Sequence, residues 1–176
     1  DMEVRDYARS TNFETGEVTV HWTDSRGVFE RTLFVSRADG VAVLRITGPG
    51  RGTINCRLEL VPRNPDHQRF RRNITDLERT ADETSLTYRN TYANAYPGSI
   101  HVLEGVADVK QRGGTGTASG SALVIEGADE VLITVDVSPW YGNDETHLDE
   151  TKAKLAALPL DYDALLARHA AIHGEM

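Results

Sequence analysis

The stretch from Tyr7 to Ile46 constrains the fold of this chain more than any other. Val18, Val20 and Trp22 alternate with polar neighbours, Asp24-Ser25-Arg26-Gly27 is a turn cluster, and Phe29 to Val35 alternates again. Ala38-Asp39-Gly40 then turns the chain into Val41 to Ile46. A period of two places one set of side chains on one face, so the pattern predicts three consecutive antiparallel strands. A meander of this kind needs a second layer to cover its apolar face.

Further strands are predicted at Ser85 to Arg89, Ser99 to Val102, Val106 to Gln111, Gly120 to Glu126 and Val131 to Val137, separated by turn signals at short intervals. Ile54, Cys56, Leu58 and Leu60 share one face of another extended stretch. Helical patterns occur only near the C-terminus, over His147 to Ala157 and Leu160 to His173. In the second, Leu158, Tyr162, Leu165, His169 and Ile172 recur at spacings of four and three, giving a face that must pack on something. Asp161 and Asp163 suit its start, Arg168, His169 and His173 its end, and Gly174 its stop. The fold class is therefore mainly β: an antiparallel β-sandwich over residues 1–138, followed by a short helical segment over 139–176.

Composition bounds what such a sandwich does. At 176 residues, 39% hydrophobic and 26% charged, the chain is large enough for one core. No apolar run approaches the roughly 20 residues of a spanning helix, so no membrane partner is expected. A net charge of −8 argues against nucleic acid, whose phosphates call for clustered Lys and Arg. The one basic cluster, Arg69-Phe70-Arg71-Arg72, reads as a solvated loop. Cys56 is the single cysteine, which excludes an intrachain disulfide and suits a small buried apolar role. The start, Asp1-Met2-Glu3-Val4, has neither the basic nor the apolar region of a secretory signal, and the compartment stays open.

Several motifs invite chemical readings. His169 and His173 stand four apart on a helix, the spacing of two zinc ligands, but Ala170 replaces the glutamate of H-E-x-x-H and no third ligand is evident. No metal and no cofactor is expected. Gly113 to Gly120 lacks the spacing of a phosphate-binding loop and leads into a strand, so it reads as a flexible turn. Asp144, Glu145, Asp149 and Glu150 lie at a helix start, where carboxylates serve the dipole. A glycosidase pair would need two carboxylates about 5 Å or about 6.5–9.5 Å apart, which spacing in sequence does not show. Asn73-Ile74-Thr75 fits the glycosylation pattern and is taken as a surface turn. Trp140, Tyr141 and Asn143, after the last strand, are the candidate sugar or domain-interface contacts: aromatic faces stack on sugar C–H faces, and an amide satisfies hydroxyls.

The residues Tyr7, Arg9, Thr15, Gly16, Phe29, Arg31, Phe34, Ser36, Asp39, Val41 and Arg45 together resemble the N-terminal domain of glycoside hydrolase family 95, the inverting α-L-fucosidases and their α-L-galactosidase relatives. Ile125 to Val135 looks like that family's last pair of sandwich strands, and Tyr162 to His169 like the helix leading toward its catalytic barrel. The resemblance implies a supersandwich-like domain, lacking its first strands, and a linker toward an (α/α)6 barrel outside this chain. It also implies that the general acid and base lie in that barrel. This chain alone would then be inactive, with no catalytic residues of its own. The barrel would be its partner, a fucosylated or galactosylated glycan the ligand class, and His169 a further interface contact. The helix face carrying Leu165 and Ile172 would await a cover from the barrel. The second reading, from a different class, is a free-standing carbohydrate-binding or adhesion sandwich whose sugar affinity depends on Trp140.

Overall fold

The computed structural model describes residues 3–62, 72–93, 97–141 and 145–174. Arg69, Phe70 and Arg71 of the basic cluster, and Asn143 and Asp144, lie outside the described residues. Eleven strands are described: β1 (Arg5–Asn12), β2 (Glu17–Asp24), β3 (Gly27–Ser36), β4 (Val41–Thr47), β5 (Ile54–Glu59), β6 (Ile74–Ala81), β7 (Ser85–Tyr92), β8 (Val102–Arg112), β9 (Thr115–Ser119), β10 (Ala122–Ala128) and β11 (Glu130–Trp140). Two helices follow, α1 (Leu148–Ala156) and α2 (Tyr162–His173).

The strands form two antiparallel sheets. The large one has eight strands in the order β1-β2-β3-β4-β11-β8-β7-β6, and the small one has three in the order β5-β10-β9. The expected meander is there as β2, β3 and β4, with Trp22 opposite Phe29 and Phe34 opposite Val43. A fourth strand, β1, precedes it, where three strands were expected. Of the two short strands expected at Ser99 to Val102 and Val106 to Gln111, Ser99 to His101 are not in a strand, and Val102 joins the second in one long strand, β8. It runs straight through Glu104 and Gly105, because both are paired in register with β7 and β11. Gly113 and Gly114 make the tight turn between β8 and β9, with φ of 72° and 68°. Here the chain leaves the large sheet for the small one, and glycine adopts the two consecutive left-handed residues of this turn without a Cβ penalty. The supposed flexible connection is therefore partly a strand, Thr115–Ser119.

The large sheet is covered on both faces. Between the sheets, Ile46, Leu86, Ala107, Val109, Val131 and Ile133 meet Ile54, Leu123, Ile125 and Ala128. Cys56, Leu58 and Leu60 pack against this core as expected, and burial pushes the Cys56 thiol above its ordinary value. On the opposite face, Phe34, Val41, Val43, Val106 and Leu132 meet Leu155 of α1 and Tyr162 and Leu165 of α2. This explains the unbroken apolar run Val131-Leu132-Ile133: alternate residues serve two different cores.

The helices thus close the domain's own sheet. Leu165 is 0% exposed, so the face expected to await a cover from elsewhere is covered by β3, β4 and their neighbours. Ile172 does not share it: it is 45% exposed, while Tyr162, Leu165 and His169 point inward. Asp161 caps α2, accepting from the backbone N–H groups of Asp163 and Ala164 at 2.9 and 3.1 Å. Asp149 and Glu150 lie in the first turn of α1, where they complement its dipole.

Candidate functional site

The corner where β11 gives way to α1 holds the two expected aromatic candidates. Trp140 ends β11, opposite Val102 of β8, and its ring stacks on that of His147 with centroids 3.6 Å apart and planes at 18°. His147 thereby covers one face of the indole. Tyr141 follows, 60% exposed.

Beneath the corner lies a buried ion pair. Register places Arg89 of β7 and Ser138 of β11 on either side of Glu104 of β8. The Arg89 Nε donates to Glu104 Oε1 at 3.2 Å, and the His147 backbone N–H donates to Oε2 at 2.9 Å. Glu104 is 3% exposed, so the carboxylate that ties α1 to the sheet is satisfied wholly from within. An open hollow beside it is bordered by Asp76, Glu78, Arg89, Thr91, Thr146 and Leu148.

His169 sits elsewhere, under the turn between β1 and β2. It is 2% exposed, stacks on Phe34 with centroids 5.2 Å apart, and its Nδ1 accepts from the Arg37 backbone N–H at 3.1 Å. His173 Nε2 lies 3.2 Å from the Phe13 carbonyl oxygen. Gly16, at φ 64°, lets the turn approach: a Cβ there would stand 3.2 Å from the Nε2 atoms of both histidines. Gly16→Ala is expected to cost about 1–3 kcal/mol, from the left-handed backbone and this crowding together. Urea unfolding of the two proteins checks it.

Burial, with help from His173 and Arg37, holds the His169 pKa below its ordinary value, against an opposing pull from the Thr15 backbone. The unfolded chain therefore binds more protons than the folded one once pH falls below about 6.5. Stability contributed by neutral His169 is present above that pH and is lost as pH falls toward the depressed folded value. Unfolding midpoints at pH 7.5 and 5.5 are expected to differ more in the natural chain than in His169→Gln.

Several of the residues that carried the family resemblance, Phe34, Ser36, Asp39 and Arg45 among them, meet this same helix. Phe34 packs edge-on against Tyr162, the Arg45 guanidinium lies 4.1 Å from the Tyr162 ring centroid, and the Tyr162 hydroxyl donates to Glu17 at 2.8 Å. Burial pushes the Tyr162 phenol well above its ordinary value, and Glu17 adds to that shift. The Ser36 hydroxyl donates to Asp39, whose other oxygen pairs with Arg168 of α2 at 2.7 Å. The motif is a socket for α2. Phe29 of the motif lies on the other side of the sheet, stacked on Trp22 at 5.5 Å, with Arg26 over the Phe29 ring and Arg31 over the Trp22 ring.

Buried carboxylates elsewhere are likewise paired: Asp24 with Arg26 and Asp136 with Lys154, each at 2.6 Å. Among the described residues, no group of three or more His, Cys, Asp or Glu is placed to hold a metal ion, and no helix is long and apolar enough to cross a membrane.

A second hollow opens on the face of the large sheet that looks toward the small one. Its volume is about 270 Å³, and Leu60, Val61, Tyr88, Asn90, Tyr92 and Val137 contribute to its lining. Sequence reading passed over it. The signal was there: Tyr88, Asn90 and Tyr92 alternate along β7 and so share a face.

The fold is similar to that of a human-microbiome protein described as a kojibiose phosphorylase, with a TM-score of 0.63 at 7% identity over 98% of this chain. This chain spans 25% of that protein's length. No curated protein matches the sequence significantly. Residues 1–144 match the family model described as "Glycosyl hydrolase family 65, N-terminal domain". This replaces the family 95 assignment, and no fucosidase specificity is supported. The resemblance rested largely on residues that seat α2, which carry fold rather than sugar preference. With residues 1–144 matched, this chain belongs to the family of glycosyl hydrolase family 65 N-terminal domains.

Proposed function

We propose that this chain is the non-catalytic N-terminal sandwich of a longer family 65 type enzyme, supporting a catalytic barrel that carries the bond-breaking residues. The observation that carries this reading is the use made of buried carboxylates. Asp24, Asp39, Glu104 and Asp136 are each matched to an intramolecular cation, as suits parts that rivet a scaffold. Glycosidic cleavage needs a carboxyl group free to meet the leaving oxygen. The family match and the likeness to a protein described as a kojibiose phosphorylase support the same reading.

On this reading Tyr141 is exposed at the corner to meet the barrel or its substrate, while Trp140 and His147 brace it. The helices α1 and α2, which cover the sheet, on this reading also lead the chain onward. The natural ligand class of the parent is an α-linked glucose disaccharide, attacked by phosphate or water. The test is to incubate this chain with kojibiose, with and without inorganic phosphate, and to measure glucose and glucose 1-phosphate. No turnover is expected. Release that disappears in Glu104→Gln would overturn the division of labour.

A further inference from the structure

We infer that the hollow lined by Tyr88, Asn90 and Tyr92 is a binding site for a single pyranose ring, separate from the Trp140 corner. Asn90 is 1% exposed and its side chain meets that of Tyr88, yet among the described residues its Oδ1 has no hydrogen-bond partner. A buried acceptor left unpaired costs about 1–3 kcal/mol, so a site that keeps one is built for a donor from outside. Apolar side chains and two tyrosine rings make up most of the rest of the lining. The occupant must therefore present a hydroxyl to Asn90 and an apolar face to its surroundings.

A pyranose does both, with C–H groups on its face and hydroxyls around its rim. Size narrows the choice. At about 270 Å³ the hollow far exceeds the roughly 30 Å³ of one water and falls just under the range of about 300–1,000 Å³ usual for ligand pockets. One ring fits this volume better than an oligosaccharide. Choosing a sugar among hydroxyl-bearing rings rests on the family 65 reading; the existence of the site does not.

The position also suits a site. Gly105 of β8 forms part of the lining, and a Cβ there would already stand 3.4 Å from the Val137 side chain. Leu60 and Val61, at the exit of β5, border the hollow where the small sheet ends. The hollow thus lies on the large sheet beside the exit of β5, lined from β7, β8 and β11.

The experiment is a titration of the 176-residue chain with methyl α-D-glucopyranoside, followed by amide NMR shifts. Saturable changes at Tyr88, Asn90, Tyr92 and Leu103 are expected. Asn90→Leu removes the unpaired acceptor at similar size, together with the polar contact to Tyr88, and is expected to leave the chain folded. It should weaken binding about tenfold, as loss of one well-made hydrogen bond implies. Tyr92→Ala should also weaken it. A folded chain with no saturable shifts, shifts confined to Tyr141 and its neighbours, or unchanged affinity in Asn90→Leu would overturn the inference. Binding at Asn90 in a polypeptide that occurs naturally only as this short chain would sustain the site while refuting the supporting-domain reading, so the two fail separately.

Discussion

Phe34→Ala is expected to lose about 3–5 kcal/mol of unfolding free energy, the largest effect of any single truncation on the helix side. Phe34 is 1% exposed and sits where three things meet: the Tyr162 ring at 5.3 Å, the His169 ring at 5.2 Å, and the Val43 side of the sheet. Removing the ring loses its transfer free energy and leaves a void that two helices and a sheet cannot easily close. Domains of this size have only about 5–15 kcal/mol to lose. The variant should unfold at a much lower urea concentration and bind more of an apolar dye than the unsubstituted chain does. An unchanged midpoint would mean that α2 is not held by this socket.

Arg89→Met should be nearly as damaging for a different reason. Glu104 would keep its charge at 3% exposure with only the His147 N–H and its surroundings to satisfy it, and breaking such a pair from one side costs about 3–5 kcal/mol. The double variant Arg89→Met/Glu104→Leu is expected to recover most of that loss, since two apolar side chains need no partner. Urea unfolding of the four proteins in the cycle gives the coupling directly. If the double variant is no more stable than Arg89→Met alone, the pair does more than balance its own charges.

The contrast between β3 and β1 shows what was legible in the sequence. β3 buries alternate residues on the helix side, so Thr32, Phe34 and Ser36 write a period of two into the chain. β1, β6 and β9 are edge strands, mostly exposed along their length, and are held by backbone pairing that leaves no hydrophobic signature. All three went unpredicted. β8 was split in two because Glu104 and Gly105 look like a turn; they belong to a strand only because Arg89 lies opposite in space.

The helix side divides in the same way. The spacing of Tyr162, Leu165 and His169 announced a buried face, and Asp161 was legible as suiting the helix start, where the structure makes it the cap. What covered that face was unreadable, since Phe34 and Val41 lie more than a hundred residues earlier. Trp140 was legible as an aromatic at a junction, whereas its stacking partner His147 depended on how the chain turns into α1. The hollow at Asn90 was missed because three alternating polar and aromatic residues look like any exposed strand face. The hollow also needs Leu60 and Val61 from beyond β5, which their spacing in sequence does not bring near β7.

The central claim is that this sandwich serves a larger enzyme. The direct measurement is the intact mass of the natural polypeptide, captured from its source with antibody raised against this chain and assayed for cleavage of kojibiose. Because the chain spans 25% of its structural relative, the expected product is several times 19.4 kDa and active where the isolated chain is silent. A natural product of 19.4 kDa, or an active larger one whose cleavage persists after this sandwich is unfolded by Phe34→Ala, would contradict it.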